Sequence, residues 1–293
     1  MRRTPTCALV VAIVLSMLML VGCGRSGVGD ANGGSMGGTC VSFIDVGKGD
    51  CILLQSGESA ALIDTGYDKT SASVLSYLAQ RGVSHLDWVV LTHYDRDHVE
   101  GLQAIGKQVH VDTVLLPGYE GSDENYQTAL RGAEALGVPT QQVTERLRLK
   151  LGDNDVEIFP SSVTYVAGTK NEEGNDNDMS LVATLTGNGA SFLFAGDLEE
   201  EGIVAYLEGK HGQFDVLKMP HHGRKTSKTD ELLEDVRPRI AIITDSDDDP
   251  ADKKTLKLLD AAGADVYRTS TSGTIAISCD ATGRYSISTE ATR

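Results

Sequence analysis

The sequence predicts an α/β fold in which two β-sheets are sandwiched between outer helices. Two observations predict it. Apolar runs separated by glycine-rich turns form a meander early in the folded region, and strands alternate with amphipathic helices after it.

The elements follow in order. TCVSFIDVGKGDCILLQSG reads as two strands joined at Gly47–Gly49, and SAALIDTG as a third. SASVLSYLAQRG carries Val74, Leu75, Leu78 and Ala79 at helical spacing and places Gly82 as a C-cap. HLDWVVLTH returns to strand. VDTVLLPG is a short strand followed by the helix candidate ENYQTALRGAEALG, and DVEIFPS, MSLVATLTGN and ASFLFAGD are three more strands. The helix EEEGIVAYLEG leads to the strand FDVLKMP. RIAIITDS, the helix KKTLKLLDAAG and the strands VYRTS, GTIAISC and RYSIST complete the chain. The acidic, glycine-containing segment NEEGNDND, Asn171 to Asp178, is expected to be a mobile loop at a site mouth.

Residues 1–22 are expected to stand outside the fold. Arg2 and Arg3 make a basic start, and the apolar run Ala8 to Val21 is broken only by Ser16, a length that suits a signal-peptide core better than a membrane span. The run ends in LVGC, Leu20 to Cys23, which resembles the lipobox of bacterial lipoproteins and implies lipidation at Cys23. The plainer alternative is an ordinary signal peptide or a short anchor, with Cys23 incidental. Residues 23–38 are Gly/Ser-rich without hydrophobic periodicity and read as a flexible tether. Residues 39–293 then form one domain, long enough for a sizeable core.

Removing Arg2 and Arg3 takes the formal charge from −16 to −18. Such an acidic surface excludes broad, non-specific nucleic-acid binding, which rests on Lys and Arg, but leaves room for a local positive site made by metal ions. With Cys7 in the leader and Cys23 at the lipobox, only Cys40, Cys51 and Cys279 remain. Three are too few for a disulfide framework, though one bridge stays open.

Four polar clusters fall at the C-terminal ends of strands: His93, Asp95, Asp97 and His98 after WVVLT, Asp197 after FLFAG, His221 and His222 after VLKMP, and Asp64 after ALI. Strand ends are where open sheets expose functional groups, so distant clusters can converge there. A lone DxD or HH is usually a solvated turn. LTHYDRDHVEG, residues 91–101, is denser than that and directly follows a buried strand. Its carboxylates repel one another unless a cation lies between them. Imidazoles and carboxylates are ligands of divalent transition metals, and the two-residue spacings let the side chains fan toward two ions.

THYDRDHVEG resembles the HxHxDH signature of the metallo-β-lactamase superfamily, in an HxDxDH form. FIDVGKGDCILL, LIDTG, NDMSLV, FLFAGDLEEEG, DVLKMPHHGRKTS and VYRTSTSGTIAI stand in the order seen in the extracytoplasmic hydrolase domain of ComEC-type competence DNA-uptake channels and their stand-alone relatives. The resemblance spans nearly all of Thr39 to Ser278. It implies a four-layer αββα sandwich with two divalent metal ions at one edge. His93 and Asp95 resemble ligands of the first ion, Asp97 and His98 of the second, and Asp197 the bridge. His221 and His222 are both candidate ligands, one of them alternatively a proton donor. Asp97, Asp197 and His222 are the expected catalytic groups. Asn177 and Ser180 match a polar pair at the site edge, and Asp45, Asp50 and Asp64 are either supporting groups or turn formers.

The chain departs from this pattern in one place. Many relatives carry a histidine ligand near SDDDPADKKTL, whereas no histidine follows His222 here. Asp247, Asp248, Asp249 or Asp252 could substitute, or the second ion binds weakly. Aspartate for the middle histidine of the motif hardens the ligand set and admits Mn²⁺ beside Zn²⁺.

Two such cations generate a metal-bound hydroxide that attacks a phosphoryl or carbonyl centre. Arg224, Lys225, Thr226 and Ser227 are candidates for meeting a substrate phosphate. The expectation is therefore an extracytoplasmic, lipid-anchored metallo-hydrolase acting on phosphodiester bonds, DNA among them, with no protein partner indicated. Cell-wall phosphoesters of the choline-phosphate type, or lactones and amides, are the alternative substrates. A non-catalytic binding protein on a decayed hydrolase fold is the alternative of another class.

Overall fold

The computed structural model describes residues 38–121, 124–164, 176–280 and 282–290. The expected leader, Cys23, the tether up to residue 37 and residues 171–175 of the acidic segment lie outside the described residues.

Two large sheets form the centre. The first has eight strands in the order Tyr285–Thr289, Ile275–Cys279, Thr39–Phe43, Ile52–Ser56, Ser59–Ile63, Trp88–Val90, Val114–Pro117 and Thr140–Val143. The second has seven, in the order Asp265–Arg268, Ile240–Ile243, Val216–Lys218, Ala190–Phe194, Val182–Gly187, Asn154–Phe159 and Leu147–Leu151. A small parallel pair, His85–Leu86 with His110–Val111, stands apart from both.

Strand periodicity builds the layers. Successive side chains on a strand face opposite ways, so Phe43, Ile52, Leu54, Ile63 and Val90 meet Phe192, Phe194, Val216 and Ile242 between the sheets. The Phe43 and Phe194 rings lie 6.2 Å apart across that seam. The alternate residues Leu53, Leu62 and Val89 turn outward onto helix residues Val74, Leu78 and Leu102. Leu193, Leu217 and Ile243 do the same on the other side, under Ile203, Leu232 and Leu259. Three apolar interfaces between four layers are the predicted sandwich.

The helix Ser71–Gln80 ends as predicted: Gly82, at φ 72°, donates its amide to Ala79 and Val83 donates to Leu78, the two bonds of a Schellman stop. Several elements were not expected, the short helices Arg96–Val99 and Leu102–Gly106 among them. Leu147–Leu151 alternates with period two, Thr140–Val143 is an edge strand with little apolar signal, and the eight-residue helix Thr229–Val236 buries Leu232, Leu233 and Val236. The expected strand VYRTS stops at Arg268, where a one-turn helix begins. Asp176, Asn177 and Asp178 form a buried helical turn where a loop was expected. Asp178 holds it in place by accepting the amides of Glu199 (2.9 Å) and Gly202 (2.7 Å).

Each sheet contains a run of parallel strands, and the functional clusters follow the C-terminal ends of these strands. Among the described residues no helix is long and apolar enough to cross a membrane. Cys40, Cys51 and Cys279 are all free and buried.

Candidate metal centre

The first sheet supplies one half of the site. Beyond Trp88–Val90 the chain runs through Thr92 and His93 into a short helix, Arg96–Val99, that carries Asp97 and His98. Asp64 holds this segment. Its carboxylate accepts the Thr92 amide and the Thr92 hydroxyl, both at 2.7 Å, and His98 Nδ1 at 2.8 Å. Asp64 sits at φ 58°, a left-handed conformation that aspartate adopts more readily than most residues. Gly49 passes so close that a Cβ there would stand 2.7 Å from the Asp97 carbonyl, which explains a glycine at this position.

The second sheet supplies the other half. Asp197 follows Ala190–Phe194, its amide donating to Ser180 Oγ at 3.1 Å. His222 follows Val216–Lys218 on a tight turn in which His221 and His222 are both left-handed, at φ 44° and 51°. Asp197 Oδ2 lies 3.0 Å from His222 Nε2 and 3.4 Å from His98 Nε2, and Asp97 Oδ2 lies 3.4 Å from His222 Nε2.

The hydrogen-bond network assigns one tautomer to all three central imidazoles. His98 gives its Nδ1–H to Asp64. His93 gives its own to Thr92 Oγ1 at 3.1 Å, whose hydroxyl is committed to Asp64. His222 gives its own to Thr244 Oγ1 at 3.1 Å, whose hydroxyl donates to Asp50 at 2.6 Å. Each ring is therefore fixed from behind, with the lone pair of Nε2 facing inward. These Nε2 atoms and Asp97 Oδ2 are buried without a hydrogen-bond partner. Orphaned buried acceptors are costly, and imidazoles oriented by a carboxylate or hydroxyl on the far nitrogen are how metal-binding histidines are held. His93, His98 and Asp197 bring ligand atoms within 4.8 Å of one another, as do Asp97, His98 and His222. The donor set fits divalent cations.

Electrostatics agree. Asp50, Asp64, Asp97 and Asp197 are buried together, and among the described residues the one buried lysine beside them is Lys218. Its ammonium pairs with Asp50, lies 3.3 Å from Asp197 Oδ1 and donates to the Gly196 carbonyl at 3.0 Å. Burial opposes ionising Asp197, but His222, His98 and Lys218 outweigh it and hold the carboxyl well below its usual range. Burial likewise opposes charging His98, yet Asp197 and Asp64 raise its pKa well above the ordinary imidazole value, so a cation binding at Nε2 takes the place of a proton there. The pocket demands positive charge beyond what Lys218 supplies.

The remaining candidates divide. Asp95, a third exposed, reaches within 3.6 Å of His93 Nε2 from the rim. His221 faces away, its Nδ1 2.9 Å from Glu199 Oε1, so His222 is the member of the pair that enters the cluster. Asn177 donates to the same Glu199 oxygen at 3.3 Å, and both it and Ser180, which accepts the Asp197 amide, are buried. Asp45 accepts the Gly47 amide at 3.0 Å and forms a turn, whereas Asp50 and Asp64 touch the site directly.

Lys225 and Thr226 turn toward the start of the helix Thr229–Val236. The Lys225 amide donates to Asp252 (2.8 Å) and the Thr226 amide to Thr229 Oγ1 (3.0 Å). Ser227, beside them, is exposed. Asp249 binds Arg224 at 2.9 Å, and neither it nor Asp252 joins the cluster where a downstream histidine was missing.

Sequence reading passed over Lys218, Thr244 and Lys48. A lysine inside the apolar run VLKMP was the available signal for the first. The other two, a threonine ending a strand and a lysine in a glycine turn, carry none.

The profile of the metallo-beta-lactamase superfamily matches residues 44–243. The chain is similar to ComE operon protein 3 of Bacillus subtilis, 27% identical over 80% of this chain and 32% of that protein. It is also similar to the competence protein ComA of Neisseria gonorrhoeae, 30% identical over 69% of this chain and 26% of that protein. The chain thus spans about a third or less of the length of these curated relatives. The metallo-β-lactamase fold protein YhfI from Bacillus subtilis shares the fold, with a TM-score of 0.52 and 12% identity over 81% of this chain and 99% of that one.

Proposed function

The chain belongs to the metallo-beta-lactamase superfamily, and on that premise we propose that it is an extracytoplasmic, lipid-anchored hydrolase of phosphodiester bonds, with DNA among its substrates. The observation that carries the reading is the convergence of the unpartnered His93, His98 and His222 Nε2 atoms with Asp97 around Asp197. His93 and Asp95 would hold one cation, Asp97, His98 and His222 the other, and Asp197 would bridge them. Bound Zn²⁺ or Mn²⁺ supplies Lewis acidity and a nucleophilic water at neutral pH.

The protein's own groups do the rest. Lys48, partly exposed, stands 3.7 Å from Asp97 Oδ2 and 3.9 Å from Asp249 Oδ2, and offers a positive charge to an arriving phosphate at the mouth. The competence proteins among the relatives support a nucleic-acid phosphodiester as substrate, and the order of basic start, apolar run and Cys23 supports a lipid anchor outside the cytoplasm.

The test is hydrolysis of bis-p-nitrophenyl phosphate and DNA before and after EDTA, with Mn²⁺ or Zn²⁺ restored. Loss on chelation and recovery with metal are expected; indifference to EDTA sinks the reading. A higher rate on choline-phosphate esters or lactones than on DNA would replace the substrate and keep the chemistry.

A further inference from the structure

The short tripeptides His85-Leu86-Asp87 and His110-Val111-Asp112 repeat an H-x-D pattern, and the fold sets them side by side. They pair in parallel with His85 opposite His110 and Leu86 opposite Val111. Leu86 and Val111 are buried in the apolar layer beneath. The histidines and aspartates that flank them therefore share the outer face, as strand alternation requires. The backbone there is fixed by bonds from His110 to Ser84 (3.1 Å), Asp112 to Leu86 (3.0 Å) and Asp87 to Ala60 (2.8 Å).

On that face Asp112 Oδ1 lies 3.0 Å from His85 Nε2 and 3.2 Å from His110 Nε2. The two rings stack with centroids 5.5 Å apart and planes 19° from parallel. All three ligand atoms fall within 4.8 Å of one another. Donors around a tetrahedral zinc, with bonds near 2.1 Å, stand about 3.4 Å apart. The two edges from Asp112 need to open by only a few tenths of an ångström. Asp87 Oδ1 sits 3.7 Å from the other nitrogen of His85, just beyond hydrogen-bond distance and on the side from which a carboxylate orients a metal-bound imidazole once it closes in.

We propose that His85, His110 and Asp112 form a second divalent-metal site, of the Zn²⁺ or Cu²⁺ class, with Asp87 positioning His85 and solvent completing the coordination. Two imidazoles and a carboxylate are the ligand chemistry of those ions. The site shares no residue with the centre described above. His85 to Asp87 precede the strand Trp88–Val90 and His93 follows it, so the two lie at opposite ends of one strand. The ion would clamp the small parallel pair to itself, joining two stretches of chain that otherwise meet through a two-residue ladder.

The test is zinc stoichiometry of the full chain by equilibrium dialysis and elemental analysis, against His85→Ala/His110→Ala and Asp112→Asn. One zinc equivalent fewer in the double variant, with an unchanged circular-dichroism spectrum, is expected. Should the double variant misfold, the single His110→Ala, at an exposed position, serves in its place. In a His98→Ala background, Cu²⁺ should still give an electron-paramagnetic spectrum with nitrogen couplings that the double variant loses. Equal zinc stoichiometry in wild type and variant overturns the proposal. The His98→Ala chain separates the two sites, since a failure of the central centre leaves this surface signal intact.

Discussion

Asp64 Oδ2 lies 2.8 Å from His98 Nδ1, and neither side chain touches solvent. The carboxylate fixes the ring so that Nε2 faces Asp197. Asp64→Asn keeps the size, and asparagine also accepts the left-handed backbone at this position. Its expected effect is a roughly 10- to 100-fold loss of metal affinity with the fold intact. Competition with a chromophoric chelator reads it, and unaltered affinity would remove Asp64 from the site.

The two left-handed histidines have opposite fates. His222→Ala should lose bound metal, because its Nε2 is an inward-facing atom of the cluster. His221→Gly should retain it and relieve roughly 1–2 kcal/mol of backbone strain, because glycine adopts that conformation freely. Elemental analysis and thermal melts of the two variants, side by side, separate ligand from neighbour.

Lys218→Met leaves Asp50 and Asp197 facing each other without their buried cation. Breaking such a pair by removing one partner costs on the order of 3–5 kcal/mol. Urea denaturation of the chelated protein should show that loss, and adding Asp50→Asn should recover part of it. A neutral Lys218→Met would mean that the ammonium is dispensable.

Asp178 makes stability depend on pH. Burial is the chief cause that pushes its carboxyl up from 3.8 to about 6, against the lowering effect of the Gly202 and Glu199 amides. The native state therefore holds the proton more tightly than the unfolded chain. This contribution is present below 3.8 and is lost as pH rises through about 6. Asp178→Asn keeps an acceptor for both amides and removes the titration. Its melting temperature should gain on the wild type as pH goes from about 4 to about 8; a constant difference would contradict the assignment.

The fold was legible where apolar runs were unbroken. Ile52 to Leu54 and Phe192 to Phe194 announce strands buried on both faces, and Gly82 marks a helix end. Thr140–Val143 was not legible because an exposed edge strand needs no apolar pattern. Of the candidate site, the dense motif from His93 to His98 stood out, while the inward choice between His221 and His222 depends on backbone dihedrals that composition does not encode. Lys218 and Thr244 matter only through residues far away in the chain, so local reading passed them over.

The Thr244 hydroxyl reaches Asp50 across 194 residues of chain, and the centre gathers its donors from both sheets. No half-synthesised chain can assemble it. The motif near residue 93 has no complete partner set until residues 197, 222 and 244 lie beside it. The geometry of the centre is therefore as cooperative as the docking of the two sheets: whatever loosens that seam also disperses the donors.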